Sequence, residues 1–176
     1  MPIRYEDAPE VEPVLRKIRN DHFPELVNAK IRVLYDLRKR GSGGMVVLGR
    51  IIKANDLIRH LTTDDKTLYE GYDYIITLDK VCWENIGEAD RERIIRHELR
   101  HTFFDIESKT DPYKLIAHDI TDFHAEVEAN RDDPLWREKC GRLTADIYDQ
   151  MKDAGRKVQR GGKTPIEAAA EANKQG

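Results

Sequence analysis

Cysteine is scarce: Cys82 and Cys140 are the only two in 176 residues. Two thiols cannot build a disulfide scaffold, and they cannot supply a four-cysteine zinc ribbon. No apolar run approaches the ~18 residues that a membrane-spanning helix needs. The opening segment, MPIRYEDAPE, lacks the apolar stretch of a secretory signal. A charge excess is missing too, since 30 basic and 33 acidic side chains leave a net −3. A strongly basic nucleic-acid-binding surface is therefore not expected. No internal repeat is visible. These absences point to a domain working in the cytoplasm, with reduced thiols and no membrane partner. The apolar content of 39% suffices for one packed core.

The order of elements predicts an α+β fold. Val11, Val14, Leu15 and Ile18 have helical spacing, with Pro13 in the first turn. Ile31–Tyr35 reads as a strand, and Met45–Ile52 as the next. The turn between them, Arg38–Arg40 followed by Gly41-Ser42-Gly43-Gly44, suggests that the two form a hairpin. A short helix and loop are expected over residues 55–70. Tyr72, Tyr74, Ile76 and Leu78 alternate on one face of a third strand. The clearest helix spans residues 88–104, with Ile94, Ile95, Leu99 and Phe103 toward the core. A loop follows over residues 105–117. A helix from Asp119 would bury Ile120, Phe123 and Val127. Another, capped at Asp133-Pro134, would bury Trp136, Cys140, Leu143, Ile147 and Met151. Residues 1–155 are expected to form one domain, and residues 156–176 a flexible basic and alanine-rich tail.

The chemistry lies in His97-Glu98-Leu99-Arg100-His101, an H-E-x-x-H pattern on the strongest helix. Residues i and i+4 stand one above the other, so both imidazoles can approach one Zn2+ ion. Glu98 would stand beside the metal as general base toward an activated water. A catalytic site needs a third protein ligand and an open position. His118 is the first choice, because a 17-residue return can bring it beneath the metal. Glu126 ranks second and His124 third. Glu107 has the spacing of another zincin class, but Phe104 stands where that class needs glycine. Glu128 is a further carboxylate on the second helix. His22 and His60 read as surface residues. Asp105, Asp119 and Asp122 are candidates to orient an imidazole. Tyr113 and Arg100 are candidates to stabilise an oxyanion. The strand Tyr72–Leu78 is a candidate edge for pairing with an extended peptide, with an interior position equally open.

The pair H-E-L-R-H and His118-Asp119-Ile120-Thr121-Asp122-Phe123 resembles the phage metallopeptidase domain family. That family is zincin-like and similar in plan to SprT-like peptidases. The resemblance spans roughly residues 27–136 and includes Val47-Leu48-Gly49-Arg50, Tyr74–Leu78 and Trp83-Glu84. It implies that His97, His101 and His118 are metal ligands and that Glu98 is the general base. It implies a small, mostly antiparallel sheet packed with the active helix and C-terminal helices. The implied activity is zinc-dependent hydrolysis of protein or peptide substrates. The alternative is a non-catalytic zincin-like module that binds a protein or DNA, its metal structural or absent. Four protein ligands would favour the module, and three with an open position the enzyme.

Overall fold

The computed structural model describes residues 3–42, 45–64, 70–118 and 122–159. Gly43, Gly44, Asp119, Ile120 and the tail from residue 160 lie outside the described residues.

Two strands rich in β-branched and aromatic residues form the middle of the sheet. β2 (Ile31–Asp36) runs parallel to β6 (Tyr74–Asp79), and Val33 pairs with Ile76. β1 (Tyr5–Asp7) joins β2 antiparallel, and β5 (Gly49–Lys53) joins β6 antiparallel. The order is β1-β2-β6-β5, so two of three pairings are antiparallel. This differs from the expected hairpin, because β6 inserts between β2 and β5. The reason is burial. β6 is buried at five of its six positions, which suits a central strand, whereas Arg50 and Lys53 suit an edge. The glycine-rich turn forms only a two-residue ribbon, β3 (Gly41–Ser42) with β4 (Met45–Val46). Tyr72–Leu78 is consequently interior, and the edge beside the helix that carries His97 is β5.

Alternation along the strands sends Ile31, Val33, Tyr35, Ile51, Tyr74, Ile76 and Leu78 into the core. α1 (Glu12–His22) covers them with Leu15 and Ile18, and packs against α4 (Glu88–Arg100). α4 contributes Ile94, Ile95 and Leu99. Its acidic start, Glu88 and Asp90, and basic end, Arg100, complement the helix dipole. α2 (Asp56–Leu61) is capped by the Asn55 side chain, and α3 (Lys80–Asn85) by that of Asp79. Cys82 and Cys140 are both buried, and burial pushes their thiols up to about 11 and about 12. They stay protonated near neutrality.

α4 ends at Arg100 instead of continuing to residue 104. The Thr102 hydroxyl donates to the Leu99 carbonyl at 2.7 Å, closing the last turn. Thr102–Phe104 then forms β7, paired with β8 (Tyr113–Leu115). β-branched and aromatic side chains favour the strand here. Phe103 consequently leaves the core and is 51% exposed.

The last helices are rotated from their expected faces. α5 (His124–Ala129) exposes Val127 and buries Glu126 completely. Arg96 Nε donates to both Glu126 oxygens at 3.0 Å, Arg100 Nε to one at 3.2 Å, and Asn130 Nδ2 to the other at 3.2 Å. This cluster ties α5 to α4. In α6 (Trp136–Gln159), Trp136, Cys140 and Thr144 are buried, while Leu143 and Met151 are exposed. The buried side chains recur every four residues, so one narrow face packs on α3. Ile147 is half-buried. The helix continues past Gly155, the expected domain boundary.

Glu126→Gln leaves two arginines facing a neutral amide. Breaking a buried ion cluster costs about 3 kcal/mol, discounted here for the partial exposure of Arg100 to about 2 kcal/mol. Urea unfolding checks this, and a loss below about 0.5 kcal/mol would contradict the role assigned to Glu126.

Candidate metal centre

Helical spacing brings His97 and His101 together at the end of α4, with ring centroids 5.3 Å apart. The β7–β8 return then delivers His118, whose ring lies 5.0 Å from His97 and 4.5 Å from His101. The Nε2 atoms of His97 and His118 are 3.1 Å apart. One ligand atom from each of the three residues falls within 4.8 Å of the others. Among the described residues this is the group suited to a metal. Phe123 is buried beneath all three rings, at 5.7, 4.8 and 4.9 Å.

For His97 and His101, the second ring nitrogen lies close to an oxygen of the chain. His101 Nδ1 donates to the Ile116 carbonyl at 2.9 Å, which leaves Nε2 with a free lone pair. His97 Nδ1 lies 3.0 Å from Asp122 Oδ1. Arg137 Nη1 donates to the other Asp122 oxygen at 3.1 Å. Partial burial raises the Asp122 carboxyl. His97, the Phe123 N–H and Arg137 outweigh it and hold the group well below the usual carboxylate range. Burial lowers the pKa of His101, and burial with two neighbouring rings lowers that of His118. Both rings are neutral at pH 7, the form that ligates a metal. Three imidazole nitrogens fit a borderline-soft divalent ion.

Glu98 is 5% exposed. Burial pushes its carboxyl above the usual range, while His97 and the Ile51 N–H pull it back. Gly49 makes room for it. A Cβ at position 49 would stand 2.8 Å from Glu98 Oε1 and 3.1 Å from its Cγ. The resulting cleft of about 270 Å³ is lined by Gly49–Ile51, His97, Glu98, His101, Leu115, Ile116, His118 and Arg137.

Other candidates lie elsewhere. Tyr113 is buried against the rings of Tyr74 and Phe104, and does not line the cleft. Arg100 binds Glu126 and covers the Phe23 ring at 5.0 Å. Asp105 accepts the Glu107 N–H in its own loop, and the Ile116 carbonyl takes the His101 proton. Glu126 is bound to Arg96 and Arg100, away from the three rings. His124 is an exposed residue at the start of α5, and Glu128 pairs with Arg131. Glu107, His22 and His60 are exposed and outside the cluster. Asp119 lies outside the described residues.

Four contributors were not identified from the sequence: the Ile51 N–H, the Ile116 carbonyl, the space at Gly49 and Arg137. The first two are backbone groups and leave no residue-type signal. Gly49 stood out only as a glycine within a strand. Arg137 lies on a helix whose packing face was misjudged.

A mixed α+β domain with three imidazoles and a glutamate at one helix end defines the class. The family model described as "Putative phage metallopeptidase" matches residues 3–156, and the chain belongs to that family. No curated protein and no solved structure matches it. Among the described residues, no helix is long and apolar enough to cross a membrane.

The close approach at Gly49 generates a test. Gly49→Ala should destabilise the fold by about 1–3 kcal/mol, the usual overpacking cost. In a Glu98→Ala background the same change should cost almost nothing, because the clashing atoms are gone. Additive losses in urea unfolding would contradict the contact.

Proposed function

We propose that this chain is a zinc peptidase acting on protein or peptide substrates in the cytoplasm. The observation that carries the reading is the convergence of three imidazoles beside a buried glutamate, in a cleft bounded by a sheet edge. His97, His101 and His118 would hold Zn2+, and Glu98 would be the general base. When bound, zinc supplies Lewis acidity toward the scissile carbonyl and lowers the pKa of water toward ~7.

The residues of the chain supply the remainder. Glu98 accepts a proton from the attacking water and returns it to the leaving amine. Its burial raises its pKa toward the range useful to a proton carrier. The Ile51 N–H orients one carboxylate for that exchange. Asp122 holds the His97 ring, and the Ile116 carbonyl holds that of His101. Substrate would lie extended along β5, whose outer edge pairs with no other strand among the described residues. The group of three donors among the described residues favours the enzyme over a module with four protein ligands.

Three variants test the assignment by zinc content and by hydrolysis of an unfolded protein. Glu98→Gln keeps zinc and loses two or more orders of magnitude in rate, on the scale of general-base removal. His118→Ala binds zinc more weakly, and His124→Ala retains it. Parental activity in Glu98→Gln would overturn the mechanism. Zinc lost from His124→Ala but kept by His118→Ala would overturn the ligand set.

A further inference from the structure

The phase of the edge strand puts one arginine where a paired peptide would meet it. Asp79 N–H donates to the Leu48 carbonyl at 2.9 Å, and Ala54 N–H to the Asp73 carbonyl at 2.8 Å. Even-numbered backbone groups of this segment therefore face β6. Those of Gly49, Ile51 and Lys53 face outward, as the Ile51 N–H does in reaching Glu98. A peptide added at this edge bonds to Gly49, Lys53 and the Ile51 carbonyl, because the Ile51 N–H is held by Glu98. Its residue opposite Arg50 occupies a non-hydrogen-bonded pair if the strands are antiparallel. Facing side chains come closest there, with Cα atoms ~4.5 Å apart. Both side chains then lie on the same side of the sheet.

Arg50 is suited to that encounter. It is exposed, lines the cleft, and its guanidinium has no hydrogen bond or ion pair among the described residues. Across the cleft, Arg137 uses Nη1 on Asp122, and its side chain remains 41% exposed. The carboxylate among the lining residues is that of Glu98, which is buried. Two arginines thus line the cleft, Arg50 with its side chain on the sheet face opposite to that of Gly49 and Ile51, and among the described residues no exposed carboxylate lines it. Lys53, by contrast, is paired with Asp111 and is unavailable.

We propose that Arg50, assisted by Arg137, selects peptides carrying an Asp or Glu side chain at the residue paired with the edge strand. The selection rests on the peptidase reading given above. Arginine meets a carboxylate with two parallel N–H donors, which gives orientation as well as attraction. A solvated arginine that merely guards a sheet edge would show no such selection.

The test uses two fluorescein-labelled eight-residue peptides, identical except for Glu or Gln at alternate positions. Affinity for the zinc-loaded Glu98→Gln chain is read by fluorescence anisotropy. The Glu peptide should bind about tenfold more tightly at low salt, with the advantage shrinking as salt rises. Arg50→Gln, whose side chain touches no described partner, should remove most of that advantage and leave the Gln peptide unchanged. Equal affinities, absence of binding, or a preference that survives Arg50→Gln would overturn the proposal. Cleavage by the zinc-loaded parent chain separates the two readings. A Glu preference that depends on Arg50, with no bond cut, would overturn the peptidase and leave the recognition standing.

Discussion

Two imidazoles one turn apart on a helix cannot hold a metal alone; the chain must return to the same helix end. The hydrogen bond from His101 Nδ1 to the Ile116 carbonyl is where that return is fastened. It follows the early stop of α4 at Arg100 and the β7–β8 ribbon. A helix running to residue 104 would carry the chain away from the site by another turn, ~5.4 Å along its axis. The stop at Thr102 thus determines whether His118 and Phe123 reach α4 at all.

Three buried or half-buried carboxylates around this helix do separate work because their partners differ. Glu126 has two arginines and an asparagine, and serves as a fastener for α5. Asp122 is shared between His97 and Arg137, and stays ionised. Glu98 is buried, which raises its carboxyl, and His97 and the Ile51 N–H offset this only in part. The proposed role of Glu98 as a proton carrier draws on that difference. The space at Gly49 keeps Glu98 in place without giving it a stronger partner.

Much of this was legible in the residues. The alternation in Tyr74–Leu78 and the stripe of Ile94, Ile95 and Leu99 identify elements whose side chains are buried. The H-E-x-x-H spacing identifies two rings that converge. Topology was harder, because pairing depends on which strands bury both faces. A glycine turn therefore suggested neighbours that β6 separates. The third ring, His118, comes first among several choices by loop length, and the family resemblance implies the same residue. The face of α5 was misread because a carboxylic side chain, Glu126, is the buried one. Only the arginines on α4 make that burial tolerable, and their contact is not encoded in local periodicity.

The central claim is that one metal ion sits on three imidazoles with a coordination position left open. X-ray absorption of the purified, zinc-loaded chain tests this most directly, because it counts ligands by atom type. The account predicts about one zinc per chain, with three nitrogen ligands near ~2.0 Å and oxygen from water completing the shell. A shell made of four protein ligands, or a chain that takes up no zinc at neutral pH, would contradict it.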